Sequence, residues 1–412
     1  NDYRRFNYEP YVYRTLNYGK KWSRIVDVDD VESYALSIIQ DKKSPNLLFL
    51  GTDDGLYLSI DNADSWMKWT KGFPTVPVKD LVIQERENDL VIGTFGRSAW
   101  VIDNINPLRE LAQNSSLLES KIELFDPSTA VLASYQQPTG TRFGGDAMYN
   151  GENRKSGALI SYYFNAEKSN DTLNKEFKDS LYLNIYDGDK LIRTLKKKSP
   201  KESGFYKWNW RMDEKGKDRP SRTIRKTKFE SSGVTVKAGS YKVELIYNNE
   251  KSYSNINVIN DPRVNINTNI DQQYNSLKDL DLMLQKSADI VRQLIESKNT
   301  ANSLKSKLSK LNKERFKDQI TLSSELVIHI DSLVGLFLGN IDKRQGITRN
   351  KESNVQQNVY KAYSYISSRP NGNTITENNL FNHAENSLTD AVKEINAFFR
   401  DKWEDYKNQI DK

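Results

Sequence analysis

Few residues in this chain have the means to do chemistry. There is no cysteine, which excludes disulfides and thiolate catalysis. The two histidines, His329 and His383, lie far apart in sequence. They exclude a His-rich metal site, and any Ser-His-Asp arrangement would have to use one of them. Each lies beside a helical apolar stripe and reads as a packing or surface residue. Carboxylates remain. Glycosidic-bond cleavage needs two of them, about 5–5.5 Å apart for retention or about 6.5–9.5 Å for inversion. Asp53, Asp54 and Asp64 are the local candidates, each set against a turn or solvated-loop reading. No metal and no cofactor is expected.

Two further groups could bind rather than react. Trp208 and Trp210 are two positions apart, so a strand would point both to one face, as core or as a stacking platform for a sugar. Between Lys215 and Lys228 the basic residues include Arg219, Arg222, Arg225 and Lys226. That run reads as an exposed loop, or as a contact for an anion or acidic polysaccharide.

The elements that must position these residues show a repeat. Thr15-Leu16-Asn17-Tyr18-Gly19-Lys20-Lys21-Trp22 matches Ser59-Ile60-Asp61-Asn62-Ala63-Asp64-Ser65-Trp66 in the pattern S/T-x-D/N-x-G/A-x-x-W. Leu48-Phe49-Leu50-Gly51-Thr52 returns as Leu90-Val91-Ile92-Gly93-Thr94, and Asp61 as Asp103. A spacing of roughly 40–45 residues is that of a four-stranded propeller blade. In such a motif the Asp or Asn accepts backbone N–H groups in a tight turn, glycine permits positive φ, and tryptophan packs between blades. This is the Asp-box, or BNR, hairpin. Asn17, Gly19, Trp22, Asp61 and Trp66 are therefore expected to be structural, with a distorted second turn because Ala63 replaces glycine. Two boxes cannot close a ring of about four to eight blades. The remaining blades are expected from a missing amino-terminal part or from a second chain.

Residues 47–111 resemble the closing blade of the sortilin/VPS10-like BNR propellers of bacteria, a family often described as glycosyl hydrolases. The resemblance rests on Gly51-Thr52-Asp53-Asp54-Gly55-Leu56-Tyr57, on Pro74 to Leu81, and on Glu87 to Asp103. Phe95 and Ser98 stand where that family usually has His and Gly, so a site depending on that His would be lost. Phe143-Gly144-Gly145-Asp146 and Gly151 to Tyr163 are similar to the family's linker, and Val236 to Val243 to a following strand. The resemblance implies exported, surface-located proteins of Gram-negative bacteria, either periplasmic, outer-membrane-associated or extracellular.

Beyond the repeat, short alternating runs and the turn Asp187-Gly188-Asp189 predict an Ig-like sandwich, similar to that of the flagellar hook-capping protein. From Asp271 the apolar period becomes helical. Four stripes begin at Leu277, Leu326, Val355 and Leu380, and Gly339-Asn340 and Pro370-Asn371-Gly372 separate them. The expected fold is multidomain, an all-β part (partial β-propeller plus Ig-like β-sandwich) followed by an all-α helical bundle. Its boundaries are 1–110 for the blades, 111–156 for a linker, 157–263 for the sandwich and 271–412 for a four-helix bundle.

At 412 residues with 28% charged side chains, the chain has room for two or three such domains. No run reaches the roughly 18–20 apolar residues of a membrane helix. The start at Asn1, without Met or an apolar leader, predicts a processed or truncated amino terminus. A net charge of +6, dispersed and without a recognition motif, argues against nucleic acid. The expected function is a non-catalytic exported or cell-surface binding or scaffold protein, contacting glycan or envelope protein through the propeller. The alternative is a glycoside hydrolase whose carboxylates lie mostly in the missing blades.

Overall fold

The computed structural model describes residues 2–133, 155–166, 180–224, 230–264, 270–340, 353–369 and 372–410. Phe143 to Asp146, Gly151 to Arg154, Arg225, Lys226, Pro370 and Asn371 lie outside them. A β-rich part comes first in the chain and a helical part follows. The chain divides into two compact units, one of residues 1–212 with 238–259, the other of residues 213–237 with 260–412.

The β unit opens with a two-stranded pair, β1 (Tyr13–Arg14) and β2 (Ser23–Arg24). An antiparallel meander follows: β3 (Ala35–Gln40), β4 (Leu48–Thr52), β5 (Gly55–Ser59) and β6 (Met67–Lys68). A second meander consists of β7 (Val78–Gln84), β8 (Asp89–Thr94) and β9 (Ala99–Ile102). β4 and β5 are buried along their whole length because both faces of their sheet are covered. Phe49, Leu56 and Leu58 enter a core with Val78, Leu81, Leu90 and Ile92 of the second meander. Leu48, Leu50 and Tyr57 enter a different core with Val12, Val26 and Val31. Such strands read as unbroken apolar runs rather than alternating ones.

Gly51 lies where two sheets approach closely. A Cβ there would fall 2.6 Å from Val78 Cγ1 and 2.7 Å from the Val78 carbonyl oxygen. Only glycine fits such a contact. The matching Gly93 would meet nothing nearer than 3.5 Å.

Helix α1 (Asn106–Gln113) closes this region through a buried ion pair. Arg109 reaches the Asp41 carboxylate at 2.6 Å and also donates to Asn88 and Asn106. Burial acts to raise the Asp41 pKa, but Arg109 and the backbone N–H groups of Ser44 and Lys43 hold it below its usual value.

Within the stretch expected to be a linker, the described residues up to 133 carry two short strands. β10 (Ile122–Leu124) and β11 (Ala130–Leu132) are strands of the next two sheets. β12 (Ala158–Phe164), β13 (Ser180–Asp187), β14 (Lys190–Lys198) and β15 (Gly204–Trp210) follow. The chain then leaves the unit to form β16 (Asp213–Lys215) and β17 (Ser232–Thr235), and returns for β18 (Gly239–Tyr247) and β19 (Glu250–Asn260). One sheet has the order β10-β12-β15 and the other β11-β19-β18-β13-β14. They meet face to face, with Phe164 edge-on to Tyr247 and Trp210 edge-on to Tyr241. The β13–β14 hairpin turns at Gly188, which has positive φ, as its Asp-Gly-Asp turn predicts.

In the helical unit α2 (Ile270–Asn312), α3 (Lys317–Leu338), α4 (Val355–Ser367) and α5 (Ile375–Ala397) share one apolar core. A π-helical turn, Phe398–Trp403, joins α5 to α6 (Glu404–Ile410). The four expected stripes all point inward, with Leu380 alone only partly buried. The β16–β17 hairpin belongs to this unit rather than to the sandwich, and Val234 is part of the helical core. Glu214 on β16 is hydrogen-bonded to Tyr274 and ion-paired with Lys278, both on α2. Contrary to the expectation of no membrane-length apolar run, α3 is long and apolar enough to cross a membrane by length and composition. Its Leu326, Ile330, Leu333, Val334 and Phe337 are buried in the helical core.

Candidate functional site

The two box motifs fold into the same turn, bond for bond. Thr15 Oγ1 accepts from the Gly19 N–H and Asn17 Oδ1 from the Lys21 N–H, both at 2.8 Å. Ser59 Oγ accepts from the Ala63 N–H at 2.8 Å and Asp61 Oδ1 from the Ser65 N–H at 3.0 Å. Tyr18 and Gly19 are left-handed in one turn, Asn62 and Ala63 in the other. The distortion expected from Ala63 is absent. Its φ of 69° keeps the shape of the turn at the cost of an alanine in a glycine conformation. For Asp61, burial acts to raise the pKa, and the hydrogen bonds from Ser65 and Ser59 outweigh it and lower the pKa. A carboxylate so engaged braces a turn and has no free oxygen for acid–base work.

The tryptophans of the two boxes differ in what covers them. Trp66 is 7% exposed, packs among Val12, Val26 and Val31, and donates its indole N–H to the Ile25 carbonyl at 3.0 Å. Trp22 is 58% exposed and donates its indole N–H back to Gly19 of its own turn. Phe6, Tyr8, Tyr13, Leu16 and Tyr18 are exposed in the same stretch of chain. The sequence pattern treats the two tryptophans alike. Only tertiary packing separates them.

The candidate carboxylates have separate local partners and surroundings. Asp54 accepts from Lys68 Nζ at 2.5 Å and from Thr52 Oγ1 at 2.7 Å. Asp53 is hydrogen-bonded to the Tyr34 hydroxyl. Asp64 is an exposed turn residue. Asp54 and Asp64 flank the two ends of β5, whose five residues span roughly 17 Å at the usual strand rise. That exceeds the span over which two carboxylates act on one glycosidic bond.

Trp208 and Trp210 do point to one face, but the face is internal. They are 3% and 0% exposed, so no sugar can stack on them. Their rings pack against Tyr162 and Tyr241 respectively. In the basic segment, Arg219 stacks over Tyr360 and Arg222 donates to the Gly339 carbonyl. Those two arginines hold the segment within the helical unit rather than waiting for an anion. His329 stacks on Phe398, where burial, then Lys402, lowers its pKa. His383 is exposed.

One titratable cluster has no signature in the sequence. Glu110 on α1 accepts the Asp126 N–H at 3.0 Å. Glu123 on β10 accepts from Ser252 Oγ at 3.2 Å, and Asp126 from Ser254 Oγ at 2.7 Å. Burial, with Asp126 and Glu123 nearby, pushes the Glu110 carboxyl up to about 7. Burial also raises Glu123. Among the described residues, no group of acids and histidines has the arrangement of a metal site.

No family profile matches this chain, and no curated protein does. Among solved structures, it is similar at 10% identity and a TM-score of 0.19 to an extracellular domain assigned to a one component system of B. thetaiotaomicron. That match covers 63% of this chain and 34% of the other. An extracellular domain assigned to a hybrid two component system of the same organism matches at 12% identity and a TM-score of 0.18, covering 61% and 30%. The chain thus spans about a third of the length of those proteins.

Proposed function

We propose that this chain is a non-catalytic binding or scaffold protein of the sortilin-like BNR type, exported and working at the surface or in the periplasm of a Gram-negative bacterium. Its first two meanders are blades of a larger propeller, and the two sheets that follow are an Ig-like sandwich. Further blades, from another stretch of polypeptide, cover the Trp22 surface. The difference between the two box tryptophans carries this reading. Trp66 shows what the motif's indole does when a neighbouring segment lies over it, and Trp22 presents the same indole uncovered. Large aromatic side chains exposed together in one short stretch of chain suit contact with a partner. A glycan or an envelope protein is the second class of contact that fits it. The hydrolase alternative has less support, because Asp54 and Asp53 are engaged with Lys68 and Tyr34, and Asp64 is an exposed turn residue.

The test is a photo-crosslinking residue at position 22, with position 101 on exposed β9 as control, in the full chain mixed with envelope proteins and a glycan library. Adducts confined to position 22, without turnover of any glycan, are expected. Equal labelling at both positions would overturn the binding role. Hydrolysis of β-glucan oligosaccharides that is lost in Asp54→Asn would instead establish the enzyme.

A further inference from the structure

An open groove of about 710 Å³ lies in the helical unit between α2 and α5. On α2, Gln272, Asn275 and Asp279 step by three and four along one stripe. On α5, Asn378 and Asn382 are one turn apart, with Phe381 between them. None of those five polar side chains is tied to a partner among the described residues. Each amide carries two donors and an acceptor oxygen, so the walls hold much unused hydrogen-bonding capacity. Phe381 is half-buried, with part of its ring against the helical core.

One wall residue is fixed by a neighbour outside the lining. Ser276, also in the wall, accepts from Asn373 Nδ2 at 2.9 Å. The Oδ1 of that same Asn373 amide is buried and accepts no hydrogen bond. That amide holds the Ser276 hydroxyl in place at the edge of the groove.

The lining selects a chemical class. It holds no cation and one carboxylate, which disfavours phosphate, nucleic acid and acidic glycan. Side-chain amides offer donor and acceptor in one plane, which suits the vicinal hydroxyls of a sugar. Residues one helical turn apart are roughly 5–6 Å apart, close to the length of one hexose unit. An aromatic edge offers the C–H face of that ring a surface to lie on. We propose that this groove binds a neutral oligosaccharide, with Phe381 beneath one ring and the amides of α2 and α5 along its hydroxyls. The inference stands on the helical unit alone and holds whether or not the Trp22 surface meets a partner.

Titration calorimetry of the full chain with neutral hexasaccharides of glucose, mannose and xylose tests it. At least one should bind with a Kd on the order of 1 mM or tighter, with little dependence on salt. Asn382→Ala, an exposed change, should weaken binding about tenfold without moving the unfolding temperature. Phe381→Ala should abolish binding while Phe381→Tyr retains it. The proposal fails if no hexasaccharide binds at about 10 mM, if Asn382→Ala and Phe381→Ala both bind as the parent does, or if an asparagine-rich peptide occupies the groove and no sugar does.

Discussion

Glu110 shows how far a residue's neighbours can move its chemistry. Its carboxyl titrates near 7 in the folded chain against an ordinary value of 4.5, because burial next to Asp126 and Glu123 penalises its charge. The folded state therefore binds this proton more tightly than the unfolded state. Its effect on stability has a definite sign: between about pH 4.5 and 7 stability falls as pH rises, and it is recovered on acidification. Denaturant titrations of the β unit at pH 5, 6, 7 and 8 should show that slope. Glu110→Gln, uncharged at every pH, should flatten it and be the more stable protein at pH 8. A slope unchanged by the substitution would assign the effect to other groups. Asp61 is the opposite case, a carboxylate held charged by the turn it braces.

At the level of elements, covered and uncovered copies of the same motif differ most. Gly51→Ala should destabilise the chain by about 1–3 kcal/mol, because its Cβ would meet the Val78 backbone and side chain. Gly93→Ala, at the same position of the next meander, should be close to neutral. Urea midpoints for the two variants decide it, and equal losses would mean that glycine serves the strand itself rather than the sheet packed on it. Much of this level was legible in sequence. The helical stripes from Leu277 to Phe398 could be read because a period of three and four survives any tertiary arrangement. The β13–β14 hairpin could be read because its turn chemistry is local. β10 and β11 could not. Three residues carry no period, and the partners of those strands lie far along the chain. The burial of Trp208 and Trp210 and the exposure of Trp22 were equally hidden, since alternation gives a face but not what lies against it. The amide groove was missed because polar residues at helical spacing look like any solvated face.

For the molecule as a whole, the chain's order and its spatial units do not coincide. Residues 213–237 belong with the helices although strands of the other unit flank them in sequence. A fragment of residues 260–412 would lack the β16–β17 hairpin, the buried Val234 and the Glu214 partner of Lys278. We expect that fragment to remain helical but to bind a hydrophobic dye and to melt with low cooperativity. Linking residues 213–237 to it should restore a sharp transition. If 260–412 alone melts sharply at the parent temperature, the hairpin is an ornament on an independent bundle.

The same interleaving imposes a schedule on synthesis. As the chain leaves the ribosome, β13 emerges well before β18, the strand that covers its second edge, and the hairpin destined for the helices emerges between them. Each unit therefore waits for a segment made after part of the other. During that interval β13 has an open edge and the hairpin has no helix to rest on, which is when an unfolded-chain binder would have most to hold.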